Sequence, residues 1–393
     1  MILTEPLIGA KRIVVKLGTQ VVIELAANAT GRFASERLAN LTRQCAELVA
    51  NGKEVILVSS GAIGLGRQAL QLQGTLTLNE RQACAAVGQN LLMDAYRELF
   101  GQSGLITAQV LLTAMDFADR KHYLNLRQTL ETLLKLKVVP IINENDTTST
   151  MEIQDERYTK GFGDNDMLSA LVASKLDADV LVILTNVDGI YTDNPFTNPD
   201  AQKVSVIENF QDLQKIDASG QSLLGRGGMS SKLEASRIAA ISGVYTFITS
   251  GVKPDPLQPL LTETPELPGT LVLPQASSLN GKKRWIGIAS GYHGIVTVND
   301  GARKALVENQ ASLLPIGIVS VQGDFAAQQV VSIQDEQGNE IGRGLSHFSS
   351  DEIERIKGVR GEQIAQQLGI NGSVDRHEII HRDNLVIFEE YGV

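Results

Sequence analysis

Short apolar runs alternate with helical patterns along the first two thirds of the chain. Six runs rich in Val, Ile and Leu predict β-strands. These strands are Arg12–Leu17, Glu54–Ser59, Leu105–Leu111, Val138–Asn143, Val180–Thr185 and Tyr245–Thr249. The helical patterns between them are Glu36–Ala50, Glu80–Phe100, Arg120–Leu136, Asp164–Leu176 and Ser230–Gly243. Near-continuous apolar strands separated by helices predict an α/β fold, with a mainly parallel sheet sandwiched by helices.

The hydrophobic pattern changes at Pro265–Gly281, where proline, glycine and serine surround one short predicted strand, as in a linker. Beyond it, short strands with turn signals follow one another, with only small helices between them. These strands are predicted at Arg284–Ala289, Gly294–Val298, Gly317–Gln322, Gln329–Ile333 and Gly342–His347. Their close spacing favours a small β-barrel-like domain. We therefore expect two domains, residues 1–274 and residues 275–393.

Composition and charge narrow the classes of protein that fit this pattern. The chain has 393 residues, which is too long for one ordinary core, and its 43% hydrophobic and 20% charged residues are typical of a soluble globular protein. Its net charge is −10, and residues 281–393 carry 11 Lys and Arg against 15 Asp and Glu. A general nucleic-acid binder needs a surplus of Lys and Arg, so this balance argues against RNA as a partner.

The cysteines and the apolar runs indicate where the protein resides. Cys45 and Cys84 both lie in helical patterns, which predicts small buried side chains in a reducing compartment. Cys and His do not occur with a metal-binding spacing, so no resident metal site is expected. No secretory signal is recognisable at the N-terminus, and no apolar run has the length needed to cross a bilayer. We expect a cytoplasmic protein without a membrane partner.

The segment Gly225–Lys232, which reads G-R-G-G-M-S-S-K, opens a predicted helix. Free backbone N–H groups at a helix N-terminus attract phosphate, and glycine lets the backbone come close to a ligand. Lys232 lies about one turn into the helix, within reach of the same anion. Glycine-rich helix starts are also often plain caps, so this segment alone leaves both interpretations open.

Other polar and glycine-rich segments follow the predicted strands. Lys16 and Gly18 end the first strand, in V-V-K-L-G-T, and Ser60 lies in S-S-G-A-I-G after the second. The lysine has an ordinary explanation as an exposed charge at a strand end, and the serine as a helix cap. The spacing of these glycines is neither a dinucleotide fingerprint nor a Walker A motif.

Two segments that contain acidic residues also lie at the end of a predicted strand or at the start of a predicted helix. N-E-N-D spans Asn143–Asp146 after a buried strand, and G-D-N-D spans Gly163–Asp166 at a helix start. Asp164 is equally explained as a helix N-cap or as a catalytic residue, and Asp188-Gly189 in L-T-N-V-D-G-I-Y also suits a turn. Taken together, lysines, glycine-rich helix starts and carboxylates at strand ends indicate a phosphoryl-transfer site, where the protein supplies positioning and charge.

In this order, the segments resemble the amino-acid kinase family. The motifs that carry the resemblance are V-V-K-L-G-T, V-S-S-G-A-I, A-A-V-G-Q at Ala85–Gln89, I-N-E-N-D, G-D-N-D and G-G-M-S-S-K. They span about residues 12–250. From about Lys282 onward, K-R-W-I and S-L-L-P-I-G-I at Ser312–Ile318 resemble a PUA domain. The resemblance covers nearly the whole chain.

The resemblance implies ATP- and Mg²⁺-dependent phosphorylation of the side-chain carboxylate of glutamate, the first step toward proline, in a homo-oligomer that proline inhibits. By motif, Lys16 and Lys232 are implied to stabilise the transferring phosphoryl group, with Asp164 holding both lysines. The residues implied to bind glutamate are Ser60, Asp146 and Asn165. The residues implied to bind ATP are Lys16, Gly18, Thr185, Asn186, Arg226, Gly227, Gly228, Met229, Ser230, Ser231 and Lys232.

The chain departs from the family pattern in three places. Asn186 stands where relatives commonly have aspartate, Arg226 stands where a smaller residue is frequent, and the segment between Asp146 and Gly163 is longer than in many relatives. That segment is either a mobile lid or an ordinary insertion. Two alternatives stay open: another acceptor within the family (acetylglutamate, carbamate, aspartate or a nucleoside monophosphate), and RNA binding through the PUA-like domain.

Overall fold

The computed structural model of the protein describes residues 4–25, 31–148, 164–193, 198–208, 228–264, 267–275, 279–360, 363–369 and 377–388. The described residues form two compact units. The first contains most of the chain up to residue 275. The second contains the residues from 279 onward together with Phe117–His122.

The first unit is built around a mainly parallel sheet. Its strands in chain order are β1 (Arg12–Leu17), β2 (Ile23–Leu25), β3 (Gly31–Phe33), β4 (Glu54–Ser59), β5 (Ile106–Leu112), β6 (Val138–Glu144), β7 (Val180–Thr185), β8 (Ile190–Tyr191), β9 (Lys203–Val204), β10 (Val206–Ile207), β11 (Tyr245–Ser250) and β12 (Gly269–Val272). Among the described residues, eight strands form one sheet in the order β10-β12-β11-β7-β1-β4-β6-β5. Only β12, against β11, pairs antiparallel in this described sheet. The pairs β2–β3 and β8–β9 form separate hairpin-like sheets.

Helices lie between these strands, as the alternating pattern predicted. They are α1 (Glu5–Gly9), α2 (Thr19–Val22), α3 (Ser35–Ala50), α4 (Ala62–Ala69), α5 (Leu78–Gly101), α6 (Ala114–Ala118), α7 (Arg120–Lys135), α8 (Asn165–Lys175) and α9 (Met229–Ile241). Helix α3 shows the reason for the pattern, because Leu38, Leu41, Cys45 and Leu48 recur at helical spacing and are buried. Both cysteines are buried and form no disulfide, as expected. None of the described helices has the length and apolar character needed to span a membrane.

The parallel register brings the carboxyl ends of the central strands to one edge of the sheet. Leu17 at the end of β1 pairs with Ser59 at the end of β4 and with Leu184 near the end of β7. Ser250 at the end of β11 pairs with Thr185. The polar segments that follow these strands therefore lie along the same edge, which is where ligands bind in parallel sheets. The predicted α/β fold is confirmed.

Helices α4 and α5 touch each other backbone to backbone. A Cβ atom built on Gly66 of α4 would lie 1.8 Å from the carbonyl oxygen of Cys84, and one built on Gly88 of α5 would lie 1.8 Å from that of Ala62. Helix α4 was missed as a sequence prediction because its glycines weaken the helical pattern. The same glycines are what allow the two helix backbones to come so close.

Replacing Gly88 by alanine should therefore destabilise the protein. In an open helix interior this change stabilises by about 1 kcal/mol. Here the two helices have to separate, and overpacking of this kind costs about 1–3 kcal/mol. Gly101→Ala is the matched control on the same helix, because its new Cβ would meet nothing within 4 Å. Urea unfolding midpoints of the two variants measure the difference; a Gly88→Ala protein as stable as the control would contradict the close contact.

The second unit has its own sheet and helices. Its elements are α10 (Gly281–Arg284), a π-helix (Trp285–Ala289), β13 (Gly294–Val298), α11 (Asp300–Asn309), β14 (Ile318–Gln322), β15 (Val330–Gln334), β16 (Glu340–Leu345), α12 (Ser350–Ile356), α13 (Ile364–Leu368) and β17 (Leu385–Ile387). Among its described residues, five strands form one sheet in the order β14-β13-β15-β16-β17. The sheet is mixed, since β13 and β15 are parallel and the other pairs antiparallel. The predicted small β domain is confirmed.

One predicted strand of this unit, Arg284–Ala289, is wrong: the segment is helical. The Asn280 side chain accepts a hydrogen bond from the Lys283 N–H and caps the first turn. Trp285 is then buried, and its indole N–H donates to the Phe117 carbonyl oxygen at 3.1 Å. A short apolar run does not distinguish a strand from a buried helical segment, so the cap was the informative signal.

Candidate active site

Two lysines share one buried carboxylate at the carboxyl edge of the large sheet. The Lys16 Nζ lies 2.6 Å from Oδ1 of Asp166, and the Lys232 Nζ lies 3.1 Å from Oδ2 of the same residue. The Asp166 side chain is fully buried, and both lysine side chains are 7% exposed. We call these three residues the lysine–aspartate cluster. It combines two positive charges with one negative charge, so it carries a net positive charge.

Local structure explains why these three side chains meet. Lys16 is the last residue but one of β1, Asp166 lies in the first turn of α8, and Lys232 lies in the first turn of α9. The Ser231 hydroxyl lies 3.1 Å from Oδ2 of Asp166 and 2.9 Å from the Gly228 carbonyl oxygen. A strand end and two helix starts thus converge on one carboxylate.

The carboxylate between the lysines belongs to Asp166, whereas the family resemblance implied Asp164. The side chain of Asp164 accepts hydrogen bonds from the N–H groups of Asp166, at 3.0 Å, and Met167, at 3.2 Å, and so caps α8. The contacts of the described residues thus assign the cap to Asp164 and both lysines to Asp166. The sequence G-D-N-D offered two aspartates, and only the position of the helix start distinguishes them.

Burial and the neighbouring charges shift the pKa of Asp166 in opposite directions. Desolvation of the buried carboxyl group would raise its pKa, but the neighbouring Lys16 and Lys232 ammonium groups outweigh it and lower the pKa to about 2. Asp166 is therefore ionised at neutral pH and unsuited to act as a general base. Its chemical role is to hold two ammonium groups next to each other.

A chain of neutral side chains lies on the same edge of the sheet. Nδ2 of Asn165 donates to Oγ of Ser60 at 2.8 Å and to Oδ1 of Asn143 at 2.9 Å. Nδ2 of Asn143 donates to Oε1 of Gln89, also at 2.9 Å. We call Ser60, Asn165, Asn143 and Gln89 the amide relay. The relay connects Ser60 and Asn165, which the family resemblance implied to bind glutamate, with Asn143 and Gln89, which had been given no role.

Asp146 lies on the loop that follows β6, three residues beyond Asn143, and is half-buried. The loop before α4 that carries Ser60 is supported by α5, because the buried Tyr96 hydroxyl lies 2.8 Å from Oγ of Ser59. Tyr96 and Gln89 are seven residues apart and so lie on one face of α5. That helix therefore contacts the ends of two strands through two polar side chains.

The residues predicted to bind ATP flank the lysine–aspartate cluster. The N–H of Gly18 donates to the Leu184 carbonyl oxygen at 3.1 Å. A Cβ atom on Gly18 would lie 3.7 Å from the Lys16 Nζ, so a longer side chain here would crowd the ammonium group. Thr185 ends β7, and its hydroxyl donates to Oδ1 of the exposed Asn186 at 3.2 Å.

Gly228, Met229 and Ser230 open α9 beside Lys232, and Gly228 occupies the N-cap position. Since glycine has no side chain, it leaves the first N–H groups of this helix available to an anion. Arg226, Gly227 and residues 149–163 lie outside the described residues, so the predicted phosphate contacts of Arg226 and Gly227 and the predicted lid stay predictions.

Sequence reasoning missed three residues of this edge: Asp166 and Gln89 were assigned no role, and Asn143 was noted only as part of N-E-N-D. For Gln89 a signal was present, because a glutamine occupied the mainly apolar stripe of α5. The buried residues of that stripe are Cys84, Ala85, Gly88, Leu92, Tyr96 and Phe100. A polar side chain on such a stripe has a hydrogen-bond partner in the interior.

Comparison with known proteins assigns the class. Residues 11–250 match the amino acid kinase family, and residues 294–368 match the PUA domain. The chain therefore belongs to the amino acid kinase family. It is 43% identical to the glutamate 5-kinase of Caldanaerobacter subterraneus subsp. tengcongensis over 380 residues, which are 96% of this chain and 98% of the relative.

Two further proteins illustrate the range of similarity. The glutamate 5-kinase of Dehalococcoides mccartyi (strain ATCC BAA-2266 / KCTC 15142 / 195) is 42% identical over 379 residues, covering 96% of this chain and 98% of the relative. The solved structure of the carbamate kinase of Giardia lamblia is 19% identical with a TM-score of 0.46, and the alignment covers 68% of this chain and 99% of that chain.

Proposed function

We propose that the protein transfers the γ-phosphoryl group of ATP to the side-chain carboxylate of L-glutamate, giving L-glutamyl 5-phosphate and ADP, the first step of proline biosynthesis. The observation that carries this proposal is the lysine–aspartate cluster, which places two ammonium groups on one buried carboxylate beside the amide relay. The names of relatives that match nearly the whole chain support the choice of acceptor. The catalytic domain is residues 1–274, and the PUA domain is residues 275–393.

The chemistry requires no general base. A glutamate side-chain carboxyl group has a pKa near 4.3, so at neutral pH it is already an ionised nucleophile. One of its oxygens forms a bond to the γ-phosphorus of ATP, while the bond from that phosphorus to the β,γ-bridging oxygen breaks and ADP leaves. The difficulty is repulsion between two anions. Lys16 and Lys232 reduce it, because preorganised charges in a site shielded from water stabilise the charge that develops in the transition state.

The nucleotide lies over the glycine-rich start of α9. The residues proposed to contact it are Lys16, Gly18, Thr185, Asn186, Arg226, Gly227, Gly228, Met229, Ser230, Ser231 and Lys232. The cationic cluster and the free N–H groups fit the phosphates. Among the described residues, no three His, Cys, Asp or Glu side chains are grouped to hold a metal ion. Mg²⁺, which kinases typically use, would supply further charge neutralisation on the phosphates of ATP beside Lys16 and Lys232.

Ser60, Asn165 and Asp146 bind the glutamate. Ser60 and Asn165 are already joined by a hydrogen bond, and Asn165 precedes Asp166 in α8. The acceptor is thus held next to the ammonium groups that face the phosphate. Asp146 supplies a negative charge on the loop after β6, and we assign it to the α-ammonium group of glutamate.

Replacing Asp146 by alanine should raise the KM for glutamate about tenfold or more while leaving the KM for ATP within about twofold, because a charged hydrogen bond to the acceptor contributes about 1.5–3 kcal/mol. Steady-state kinetics with each substrate varied in turn measure this. Asp94→Ala on the exposed side of α5 is the control, since it removes a carboxylate from the surface. Equal changes in both KM values would contradict the assignment.

The experiment that tests the function measures ADP release from ATP and Mg²⁺ with glutamate, with hydroxylamine present to trap the acyl phosphate as a hydroxamate. Parallel reactions contain aspartate, acetylglutamate, carbamate or UMP. Hydroxamate with glutamate alone is the expected result. Turnover of another acceptor instead of glutamate would support the assignment as a kinase of this family and contradict the assignment of glutamate as the substrate. Inactivity with every acceptor, together with salt-sensitive binding to tRNA, would favour the RNA-binding alternative.

We further propose that the protein is a cytoplasmic homo-oligomer, a dimer or a tetramer, and that proline inhibits it. Light scattering coupled to size exclusion gives the subunit number. Titration of proline at a fixed glutamate concentration tests inhibition, and unchanged turnover at millimolar proline would exclude it for this chain.

A further inference from the structure

Gln89 is a buried amide on a mainly apolar face of α5, which it shares with Tyr96. It is 7% exposed, and its Oε1 accepts the hydrogen bond from Nδ2 of Asn143. It lies one residue beyond Gly88, where α4 and α5 touch. The backbone of α5 is therefore held in place by tight packing next to Gln89.

The direction of the hydrogen bonds in the amide relay follows from one backbone group. The N–H of Glu144 donates to Oδ1 of Asn143 at 2.9 Å. A backbone N–H is always a donor, so the side-chain atom that it contacts must be the oxygen. Nδ2 of Asn143 then points to Gln89, which has to present its own oxygen. Each amide in the relay thus has only one orientation that satisfies its neighbours.

This orientation determines what Asn165 presents to a ligand. Both N–H bonds of its amide are used, one toward Asn143 and one toward Ser60. Its Oδ1 is buried and has no hydrogen-bond partner among the residues that the structure describes. The free group of Asn165 is therefore an acceptor. The ligand group that complements it is a hydrogen-bond donor, and in glutamate that donor is the α-ammonium group.

Gln89 is unfavourable at this position as far as folding is concerned. Its Nε2 is also buried without a partner in the described part of the chain. A buried donor without a partner is destabilising, and an apolar side chain of similar size would avoid that penalty. The compensating benefit of Gln89 is the hydrogen bond that it accepts from Asn143.

We propose that Gln89 is a positioning residue of the acceptor site. By accepting from Asn143, it holds the amide relay in the orientation that the Glu144 N–H defines, so that Asn165 presents its carbonyl oxygen, which selects an acceptor that carries an ammonium group. This inference rests on the proposed glutamate kinase function. It adds to that function the device by which the enzyme distinguishes an amino acid from a dicarboxylate without an amino group.

The test compares Gln89→Leu with Asn90→Leu, its exposed neighbour on α5. Gln89→Leu removes the acceptor for Asn143, and loss of one buried hydrogen bond corresponds to roughly a tenfold change in binding. We expect the KM for glutamate to rise roughly tenfold, the KM for ATP to stay within about twofold, and the preference for glutamate over glutarate to fall by a similar factor. The thermal midpoint should stay close to that of Asn90→Leu. The variant removes the unpaired buried Nε2 donor of Gln89 but leaves Nδ2 of Asn143 without its acceptor, so the number of unpaired buried donors stays the same.

Gln89→Glu separates positioning from a general packing role. A carboxyl oxygen still accepts from Asn143, so this variant should recover most of the lost glutamate affinity. If Gln89→Glu is as impaired as Gln89→Leu, the Nε2 group matters instead and the proposal is wrong. A fall in thermal midpoint with equal changes in both KM values would identify a purely structural role and also overturn it.

The wild-type reaction keeps this inference distinct from the proposed function. If wild-type protein forms no hydroxamate from glutamate, the proposed function itself has failed, and the inference fails with it. If wild-type protein is active on glutamate and Gln89→Leu has the same kinetic constants and the same preference over glutarate, the function stands and the role of Gln89 is refuted.

Discussion

Alanine at Lys16 or at Lys232 should lower kcat by roughly 10²–10³, the effect of losing one preorganised charge worth about 3–4 kcal/mol in the transition state. Both ammonium groups are held on Asp166 at the edge where the strands end, and each variant leaves the other lysine in place. The removed charge acts on the phosphoryl group in the transition state of the transfer. We therefore expect a larger fall in kcat than in the affinity for ATP or for glutamate.

Steady-state hydroxamate formation at saturating ATP and glutamate gives kcat directly. Lys11→Ala is the control, because Lys11 is exposed and immediately precedes β1, at the opposite end of the strand from Lys16. Near-normal turnover in either cluster variant would remove that lysine from the mechanism.

The second large effect is expected for Asp166→Asn. The change keeps the shape of the side chain but removes the negative charge that both lysines share, so both buried ammonium groups lose their ion pair with Asp166. Breaking a buried ion pair on one side typically costs 3–5 kcal/mol, and we expect a loss of stability of about that size together with a fall in kcat of about 10² or more. Urea unfolding and the hydroxamate assay measure the two effects.

Asp164→Asn is the matched control, two residues away on the same helix start. An asparagine side chain also caps helices, so this variant should keep most of its stability and turnover. The pair of variants therefore decides between the two aspartates of G-D-N-D. If Asp164→Asn is the more damaging change, the lysines depend on Asp164 after all.

The lowered pKa of Asp166 adds a dependence on pH. In the folded protein its pKa is about 2, because Lys16 and Lys232 outweigh the desolvation that would raise it. In the unfolded chain it is about 3.9. The unfolded state therefore binds more protons between these values, and the contribution of about 2–3 kcal/mol is complete above about pH 5 and is lost progressively as the pH falls through about 4 toward about 2. Urea midpoints at pH 5, 4 and 3 should decline more steeply for wild type than for Asp166→Asn.

Much of the fold was predictable because the signals are local. Six apolar runs such as Val180–Thr185 are strands in the structure to within two residues, and parallel pairing follows from the helices between them. The same reasoning placed Lys16 and Lys232 at one edge, which the structure confirms. The strand predicted at Arg284–Ala289 was wrong although its Asn280 cap is a local signal, because a short apolar run fits a strand as well as a buried helical segment.

The parts of the site that the sequence could not assign depend on the exact residue at which a helix begins and on contacts between residues that are far apart in the chain. Asp164 and Asp166 are chemically identical, and only the exact start of α8 determines which one faces the lysines. Gln89 and Asn143 are 54 residues apart in the chain, and no local pattern shows that their amides meet. Such contacts depend on how α5 packs against the sheet, and this packing is determined by the tertiary fold and not by a local sequence pattern.

The backbone contact between α4 and α5 also has a consequence for motion. Two helices that touch at Gly66 and Gly88 cannot slide past each other without a clash, so the loop that carries Ser60 and the helix that carries Gln89 move as one rigid body. Adjustment to different ligands must then come from other segments of this edge of the sheet, such as the start of α9. Amide hydrogen exchange in α4 and α5 should accordingly be slow and insensitive to glutamate, whereas exchange at the start of α9 should slow when nucleotide binds.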